Sequence, residues 1–247
     1  MDNGGITGAN SGNVDNCKNQ GSIDAGYETG GIAGAQYSNG RIKNCVNEGN
    51  FIETFSGYDK GGILGINSQN GIVEYCYNMS DIAFADDSAY GGIVGKNQHN
   101  GIIQYCFNKG NLTHTDIILF GGIAGVNSAT IKYCYNTGNI SSTKGNAATY
   151  TFAYGIGSGG NIENCYNIGE VKAPMSIAYE IADPDATIQN SYYLGTNLDD
   201  TTCKNDEFMK TQEFVDLLNS ENKEIFCMDE NGINEGYPIL SWQKDYE

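Results

Sequence analysis

Basic residues are scarce in this sequence of 247 residues. Thirteen Lys and Arg stand against thirty Asp and Glu, which gives a formal net charge of -17. A strongly negative protein repels phosphate backbones and anionic lipid head groups. The composition therefore argues against nucleic acid as a partner.

Long apolar runs are also missing. No stretch approaches the roughly eighteen apolar residues that a membrane-spanning helix needs, so we expect no membrane insertion. Met1 is followed by Asp2 and a glycine-rich segment, not by the basic and then apolar residues of a signal sequence. The chain opens within a repeat, and we expect any export signal or wall anchor to lie outside it.

Catalytic and cofactor motifs are absent as well. The sequence has no HExxH zinc motif, no GxSxG nucleophile turn, no phosphate loop and no dinucleotide fingerprint. It also lacks the glycine- and aspartate-rich nonapeptide of calcium-binding β-helices. Neither His99 nor His114 lies near paired cysteines, so we expect no metal and no cofactor.

Proline is rare, with 3 residues, whereas Gly (34) and Tyr (17) are abundant. This balance indicates an ordered chain rich in turns and strands. Its main feature is a repeat. Six cysteines recur at steps of 28, 31, 30, 28 and 31 residues, and an Asn follows two residues after each. The cysteines are Cys17, Cys45, Cys76, Cys106, Cys134 and Cys165.

Each period contains three short apolar segments separated by Gly and Asn. A glycine-framed segment such as Gly61 to Gly65 comes first. A Val or Ile precedes the cysteine, and another apolar residue follows six positions after it. The preceding residues are Val14, Ile42, Ile72, Ile102, Ile131 and Ile162, and the following ones are Ile23, Phe51, Ile82, Leu112, Ile140 and Val171.

Apolar segments this short, bounded by Gly and Asn, are typical of strands and turns. One coil cannot bury its apolar face, but stacked coils bury like residues on like. We predict an all-β protein, a right-handed parallel β-solenoid (β-helix) of six to seven coils of about 30 residues, with three short strands per coil. We expect the repeated Asn to take the left-handed conformation at a corner and to pass hydrogen bonds along the stack.

The repeat pattern stops near residue 197, so we assign 1-196 to the solenoid and 197-247 to a small α/β C-terminal cap. Asp206 to Leu218 is typical of a short amphipathic helix with Asp as its N-cap. Together with Gly236 to Trp242, it is expected to cover the last coil.

We expect the six repeat cysteines to be buried free thiols. Stacked residues lie about 4.8 Å apart with parallel Cβ directions, which suits a disulfide poorly. Cys203 and Cys227 lie outside the repeat, and a disulfide between them stays open.

The run from Gly61 to Asn67, then Gly71-Ile72 and Tyr75-Cys76-Tyr77-Asn78, resembles the GLUG repeat family. That family occurs in bacterial cell-surface proteins, including those of Gram-positive anaerobes, and in N-terminal regions of zinc metallopeptidases that cleave immunoglobulin A. The resemblance spans roughly residues 4 to 195. It implies an exported, wall-associated β-solenoid and assigns no catalytic residue. Coil six lacks the double glycine, and Ser191 replaces the next cysteine.

Aromatic residues flank the cysteines of the three middle coils. If cysteine points inward, both neighbours point outward and form two columns of stacked rings. We name these as candidate ligand-binding residues: Tyr75, Tyr77, Tyr105, Phe107, Tyr133 and Tyr135. Alternatively, the rings only stabilise neighbouring strands, or a corner beside the cysteine sends one column inward.

From these patterns we expect a non-catalytic, extracellular, monomeric repeat domain that binds a host glycan or surface protein. A structural spacer that presents another domain is the first alternative. A polysaccharide-degrading β-helix enzyme is the second. We expect no enzyme, because Arg41 is the only arginine and we see no Asp or Glu pair at one repeat phase in neighbouring coils.

Overall fold

The computed structural model describes residues 1–52, 57–84, 89–114, 119–142, 151–173, 177–197, 199–220 and 224–245. The described chain is an all-β solenoid in which parallel strands of successive coils stack into long, narrow sheets. The predicted fold class is therefore confirmed.

Sheets A and B contain the glycine-framed segments of the repeat. The strands of sheet A are Asn3–Gly4, Thr29–Gly30, Lys60–Gly61, Ala89–Gly91, Leu119–Gly121, Phe152–Tyr154 and Ile177–Tyr179. The strands of sheet B are Thr7–Asn10, Ala33–Gln36, Leu64–Asn67, Val94–Asn97 and Ala124–Asn127.

Sheets C and D lie on either side of the cysteines. Sheet C contains Asn13–Asp15, Arg41–Lys43, Ile72–Glu74, Ile102–Gln104, Thr130–Lys132, Asn161–Glu163 and Thr187–Gln189. Sheet D contains Lys18–Asn19, Val46–Asn47, Tyr77–Asn78, Phe107–Asn108, Tyr135–Asn136, Tyr166–Asn167, Tyr192–Leu194 and Cys203–Lys204.

A fifth side closes each coil and consists of two smaller sheets. Ile23–Asp24 pairs with Phe51–Ile52, and a four-stranded sheet contains Ile82–Phe84, Leu112–His114, Ile140–Ser142 and Val171–Lys172. A complete coil thus has five short strands, and the prediction of three was wrong. Tight turns divide the apolar segments, as at the glycines between sheets A and B, so one segment supplies two strands.

The main core consists of columns of identical or similar residues. One column is Cys45, Cys76, Cys106, Cys134 and Cys165, all fully buried. Another is Ile42, Val73, Ile103, Ile131 and Ile162. Our prediction placed Ile72 and Ile102 in this column, but the register pairs them with Arg41 outside the core. Val73 and Ile103 lie three residues before their cysteines, as Ile42 does, and alternation along the strand turns their neighbours Ile72 and Ile102 to the outer face.

The asparagines two residues after the cysteines form the predicted ladder. Asn78 Nδ2 donates to Asn108 Oδ1 at 2.9 Å, and Asn108 Nδ2 donates to Asn136 Oδ1 at 2.8 Å. A second ladder, which the sequence analysis missed, runs along Asn10, Gln36, Asn67, Asn97 and Asn127. Both ladders satisfy buried polar groups between coils.

The left-handed corner lies one residue before each of the six repeat cysteines and before Ser191, not at the ladder asparagines as we predicted. Its residues have φ between 45° and 56°, and they are Asn16, Asn44, Tyr75, Tyr105, Tyr133, Asn164 and Asn190. Ser191 occupies the cysteine column, since its Oγ accepts from the backbone N of Cys165 at 3.1 Å.

Glycine is needed where sheet A turns into sheet B. A Cβ on Gly31 would lie 2.1 Å from the carbonyl oxygen of Gly62. The backbones of neighbouring coils therefore approach too closely for any side chain at this position.

The C-terminal residues form helix α1 (Asp206–Met209), helix α2 (Gln212–Asn219), an antiparallel pair (Phe226–Cys227 with Ile239–Leu240) and a 3₁₀ helix (Ser241–Asp245). The sequence predicted one helix opened by Asp206, whereas the structure has two. Their N-caps are Asn205 and Thr211, whose side chains accept from the backbone N of Phe208 and Phe214. We call the described residues 199–220 and 224–245 the capping segment.

Candidate functional site

The thiols of the cysteine column are buried and unreactive. All eight cysteines are free, including Cys203 and Cys227. Burial raises the pKa of the Cys76, Cys106 and Cys134 thiols well above the usual value. These sulfurs therefore stay protonated, as packed thiols do, and carry none of the thiolate that a nucleophile needs.

The candidate aromatic residues stack as predicted. Tyr75 lies 4.9 Å from Tyr105, and Tyr105 lies 5.6 Å from Tyr133, measured between ring centroids. We call these three residues the corner column, because they occupy the left-handed corner. Their rings are half-buried and lie outside the cysteine core.

The second predicted column is also formed, but it is covered. Tyr77, Phe107 and Tyr135 continue to Tyr166 at centroid distances of 4.7, 5.0 and 5.0 Å, and we call these four the ring ladder. Phe107 is 4% exposed and Tyr135 is 0% exposed. The expectation of two open columns was therefore wrong for Phe107 and Tyr135.

The capping segment causes this burial. It first adds Cys203–Lys204 to sheet D and then packs along the outer face of that sheet. Phe214 meets Tyr166 edge-on at 5.9 Å, and Trp242 lies 5.9 Å from Phe107. The segment thus runs back over several coils, beyond the last coil that we expected it to cover.

Hydrogen bonds fix the capping segment on the ring ladder. The hydroxyl of Tyr135 bonds to Gln243 Oε1 at 3.0 Å. Asn234 Nδ2 donates to the hydroxyl of Tyr166 at 2.8 Å. Burial raises the pKa of the Tyr166 hydroxyl well above its ordinary value, so it stays a neutral donor and acceptor. These contacts make the ring ladder an internal interface.

The corner column has polar neighbours. Lys43 Nζ lies 5.5 Å from the Tyr75 ring centroid, and Trp242 meets the same ring edge-on at 6.1 Å. At the far end, Asn164 donates to the carbonyl of Leu218 at 2.8 Å. Burial raises the pKa of the Tyr75 and Tyr105 hydroxyls. Near neutral pH these hydroxyls can donate and accept hydrogen bonds.

A cavity of about 380 Å³ lies where the capping segment meets the edge of sheet D. It is lined by Lys109, Thr137, Ile168, Ile233, Asn234, Glu235 and Tyr237. Lys109 Nζ donates to the carbonyl of Ile233 at 2.7 Å. Part of the polar lining thus joins the capping segment to the coils.

The sequence analysis missed a row of carboxyl groups. The register stacks Asn3 on Thr29 and Thr29 on Lys60, which places Asp2, Glu28 and Asp59 at one phase of successive coils. We call these three the carboxylate row. Alignment on the double glycines would have found it, because each carboxyl residue precedes its Gly-Gly pair by two positions.

Burial is the main reason that the pKa values of Glu28 and Asp59 in this row are raised. It raises the pKa of Glu28 to about 7, with a further contribution from the charge of Asp59. Burial also raises the pKa of Asp59 to about 6, and the charge of Lys96 opposes this rise. Glu28 Oε2 accepts from the backbone N of Asp59 at 3.3 Å.

Two exposed tyrosines lie beside this row. Tyr27 and Tyr58 are 56% and 59% exposed, and their rings stack at 5.4 Å. Each immediately precedes a carboxyl residue, Glu28 or Asp59. Sequence analysis overlooked the pair because it lies far from the cysteines in each coil.

The two histidines have separate neighbours. His99 Nδ1 lies 3.0 Å from Ser68 Oγ, and His114 stacks on Tyr90 at 5.4 Å. Among the residues that the structure describes, no three His, Cys, Asp or Glu side chains are grouped so that they could hold a metal ion.

Comparison of the chain with models of known families, with curated proteins and with solved structures found no match. No helix in the described ranges is long and apolar enough to cross a membrane.

Proposed function

We propose that this chain is a non-catalytic repeat module of an exported bacterial surface protein, and that it binds a glycan or a host protein through the corner column. The likeness of its repeat to the GLUG family supports the assignment to surface proteins. The solenoid fold agrees with what that likeness implies.

One observation carries the binding proposal. At the corner before the cysteine, four described coils place Asn and three place Tyr, all with positive φ. Asn tolerates this conformation, whereas another non-glycine residue is strained there by roughly 1–3 kcal/mol. The fold itself therefore favours Asn at Tyr75, Tyr105 and Tyr133.

Ring stacking does not fully offset this strain. Each aromatic pair contributes about 0.5–1.5 kcal/mol beyond burial, and the corner column has two internal pairs and a third between Tyr75 and Trp242. Taken at the middle of each range, three ring contacts of about 1 kcal/mol stabilise less than three strained residues of about 2 kcal/mol cost. Strained residues cluster at functional sites, so the excess favours a ligand as the reason for the tyrosines.

The chemistry of the corner column suits a sugar chain or a protein surface. Half-buried rings stacked along the solenoid offer apolar edges, and their hydroxyls offer hydrogen bonds. Lys43 adds a cation at one end. Ligand rings or side chains can follow the column from coil to coil.

The Asn that other coils place at this corner provides matched variants of the three tyrosines. Replacing Tyr75, Tyr105 and Tyr133 by Asn restores the residue that other coils use, so we expect a folded protein. Binding on a glycan array and to immobilised host extracellular proteins should fall at least about tenfold, because the contact rings are lost. Asn44→Tyr should strengthen binding, since Asn44 occupies the next corner.

Unchanged binding by the triple Asn variant would refute the role of the corner column. A structural spacer is the second candidate, and the side-chain ladder that runs without a break from Asn19 to Asn167 favours it. Absence of binding to any glycan or host protein would support the spacer. Release of unsaturated sugars from polysaccharides would identify an enzyme instead.

A further inference from the structure

The first two coils carry a surface that the proposed function does not use. Tyr27, Tyr58 and Ile52 are 56%, 59% and 50% exposed, which is unusual for large apolar side chains. Ile52 pairs with Asp24 in the strands that lead to this turn, and the backbone N of Tyr58 donates to the carbonyl of Tyr27 at 2.7 Å. The rings of Tyr27 and Tyr58 therefore stack on one corner of the solenoid, and Ile52 is exposed on the strand that precedes this corner in the sequence.

Carboxyl groups border this apolar corner. Glu28 and Asp59 follow the two tyrosines directly, and Asp2 continues the carboxylate row by one coil. Lys96 acts on both Glu28 and Asp59 and lowers the pKa of each. The pKa of both groups nevertheless stays well above its ordinary value, so the local positive charge does not compensate for their burial.

The geometry points to a docking site for a basic peptide segment, with arginine side chains over Tyr27 and Tyr58 and paired to Glu28 and Asp59, and apolar side chains against Ile52. Guanidinium groups stack on tyrosine rings and form bidentate bonds with carboxylates. The net charge of -17 favours a cationic partner over an anionic one.

The same arrangement predicts that binding of the basic peptide is coupled to the release of protons. A guanidinium group beside Glu28 and Asp59 stabilises their ionised forms, so docking should release protons between about pH 5 and pH 8. The groups that face these carboxyls are Asp2, Tyr37 and Lys96. Tyr37 stays neutral in this range, because burial and the charges of Asp2 and Glu28 raise its pKa. The charge of Asp2 raises the pKa of Glu28, and the charge of Lys96 lowers it.

The test uses the whole chain and a short amidated peptide of alternating arginine and leucine. Titration calorimetry should show binding that is about tenfold tighter near pH 8 than near pH 5, with proton release measured in buffers of different ionisation enthalpy. A peptide with glutamine in place of arginine should bind at least about tenfold more weakly.

Two variants separate the contributions of the site. Glu28→Gln with Asp59→Asn should weaken arginine-peptide binding about tenfold and remove its pH dependence. Tyr27→Ser with Tyr58→Ser should weaken binding while the carboxyl groups remain. The control Asp185→Asn changes net charge at an exposed turn in another coil and should leave affinity unchanged.

Several results would overturn the inference. They are equal binding of the glutamine peptide, equal affinity at both pH values, and full binding by the Glu28→Gln, Asp59→Asn variant. The triple Asn variant of the corner column should bind the arginine peptide normally. Failure of this inference therefore leaves the proposed function standing, and the reverse also holds.

Discussion

Single residues show how burial, aided by neighbouring charge, changes the chemistry of this acidic protein. Glu28 and Asp59 have ordinary pKa values of 4.5 and 3.8, which the fold raises to about 7 and about 6. The fold therefore favours the protonated carboxyl groups. Between the two sets of values, the folded chain binds more protons than the unfolded chain.

The sign of the pH dependence follows. The contribution of Glu28 and Asp59 to stability is fully present below about pH 4 and is lost as the pH rises through about 6 to 7. We expect the free energy of unfolding in urea to fall between about pH 5 and pH 8. The fall should be smaller in Glu28→Gln with Asp59→Asn, because amides do not titrate.

The charge control for this measurement is Asp185→Asn, which removes an exposed carboxylate outside the carboxylate row. It should retain the wild-type pH dependence. An equal fall in stability for the wild type and the Glu28, Asp59 double variant would show that other groups cause the effect.

At the scale of one element, the ladder of asparagines holds neighbouring coils in register. Asn108 is fully buried, donates to Asn136 and to the carbonyl of Gly110 at 2.8 Å, and accepts from Asn78 at 2.9 Å. Replacement by alanine leaves buried groups on Asn78 and Asn136 without this partner. Each such group is costly in the interior.

We therefore expect Asn108→Ala to lower the free energy of unfolding by about 2–4 kcal/mol, measured by urea denaturation. Asn111 is the matched control, since it is exposed and accepts from the backbone N of Asn139 at 2.9 Å. Asn111→Ala should cost less than about 1 kcal/mol. Equal losses of unfolding free energy in the two variants would show that the buried Asn ladder contributes no more to stability than an exposed asparagine does.

Some positions within a coil could be predicted from the sequence, and others could not. The Asn ladder and the cysteine column follow from equal spacing, because residues at one phase of a repeat must stack. The sequence also contains the reason that Val73 and not Ile72 is in the core, since each core residue of that column lies three positions before its cysteine, but two adjacent apolar residues left the choice open. The left-handed corner also escaped prediction, because Asn is common both there and in the ladder.

For the whole molecule, the capping segment decides which surface remains open. Phe214 is fully buried and its ring meets those of Tyr166 and Tyr192 edge-on, at 5.9 and 5.6 Å. Phe214→Ala should destabilise this interface by about 3–5 kcal/mol. The coils have their own ladders, so the capping segment should detach before the coils unfold.

Trp242 provides the measurement, since it is the single tryptophan and packs on Tyr77 and Phe107. In Phe214→Ala, its fluorescence should change at a lower urea concentration than the circular dichroism of the strands. Leu217→Ala lies in the same helix on a more exposed face and should keep the two transitions closer together. Coincident transitions in Phe214→Ala would show that the capping segment and the coils unfold as one unit.

The spacing of Cys76, Cys106 and Cys134 by itself determined the solenoid, its period and its ring stacks, because short strands bury their apolar faces only by stacking like on like. Only the tertiary structure decided that most of the ring ladder is buried and that the corner column stays half-exposed beside Trp242. Phe107 and Trp242 are far apart in the chain, and no repeat pattern predicts their contact. The exposure of these aromatic rings depends on the folded surface. The capping segment, which is not part of the repeat, determines it here.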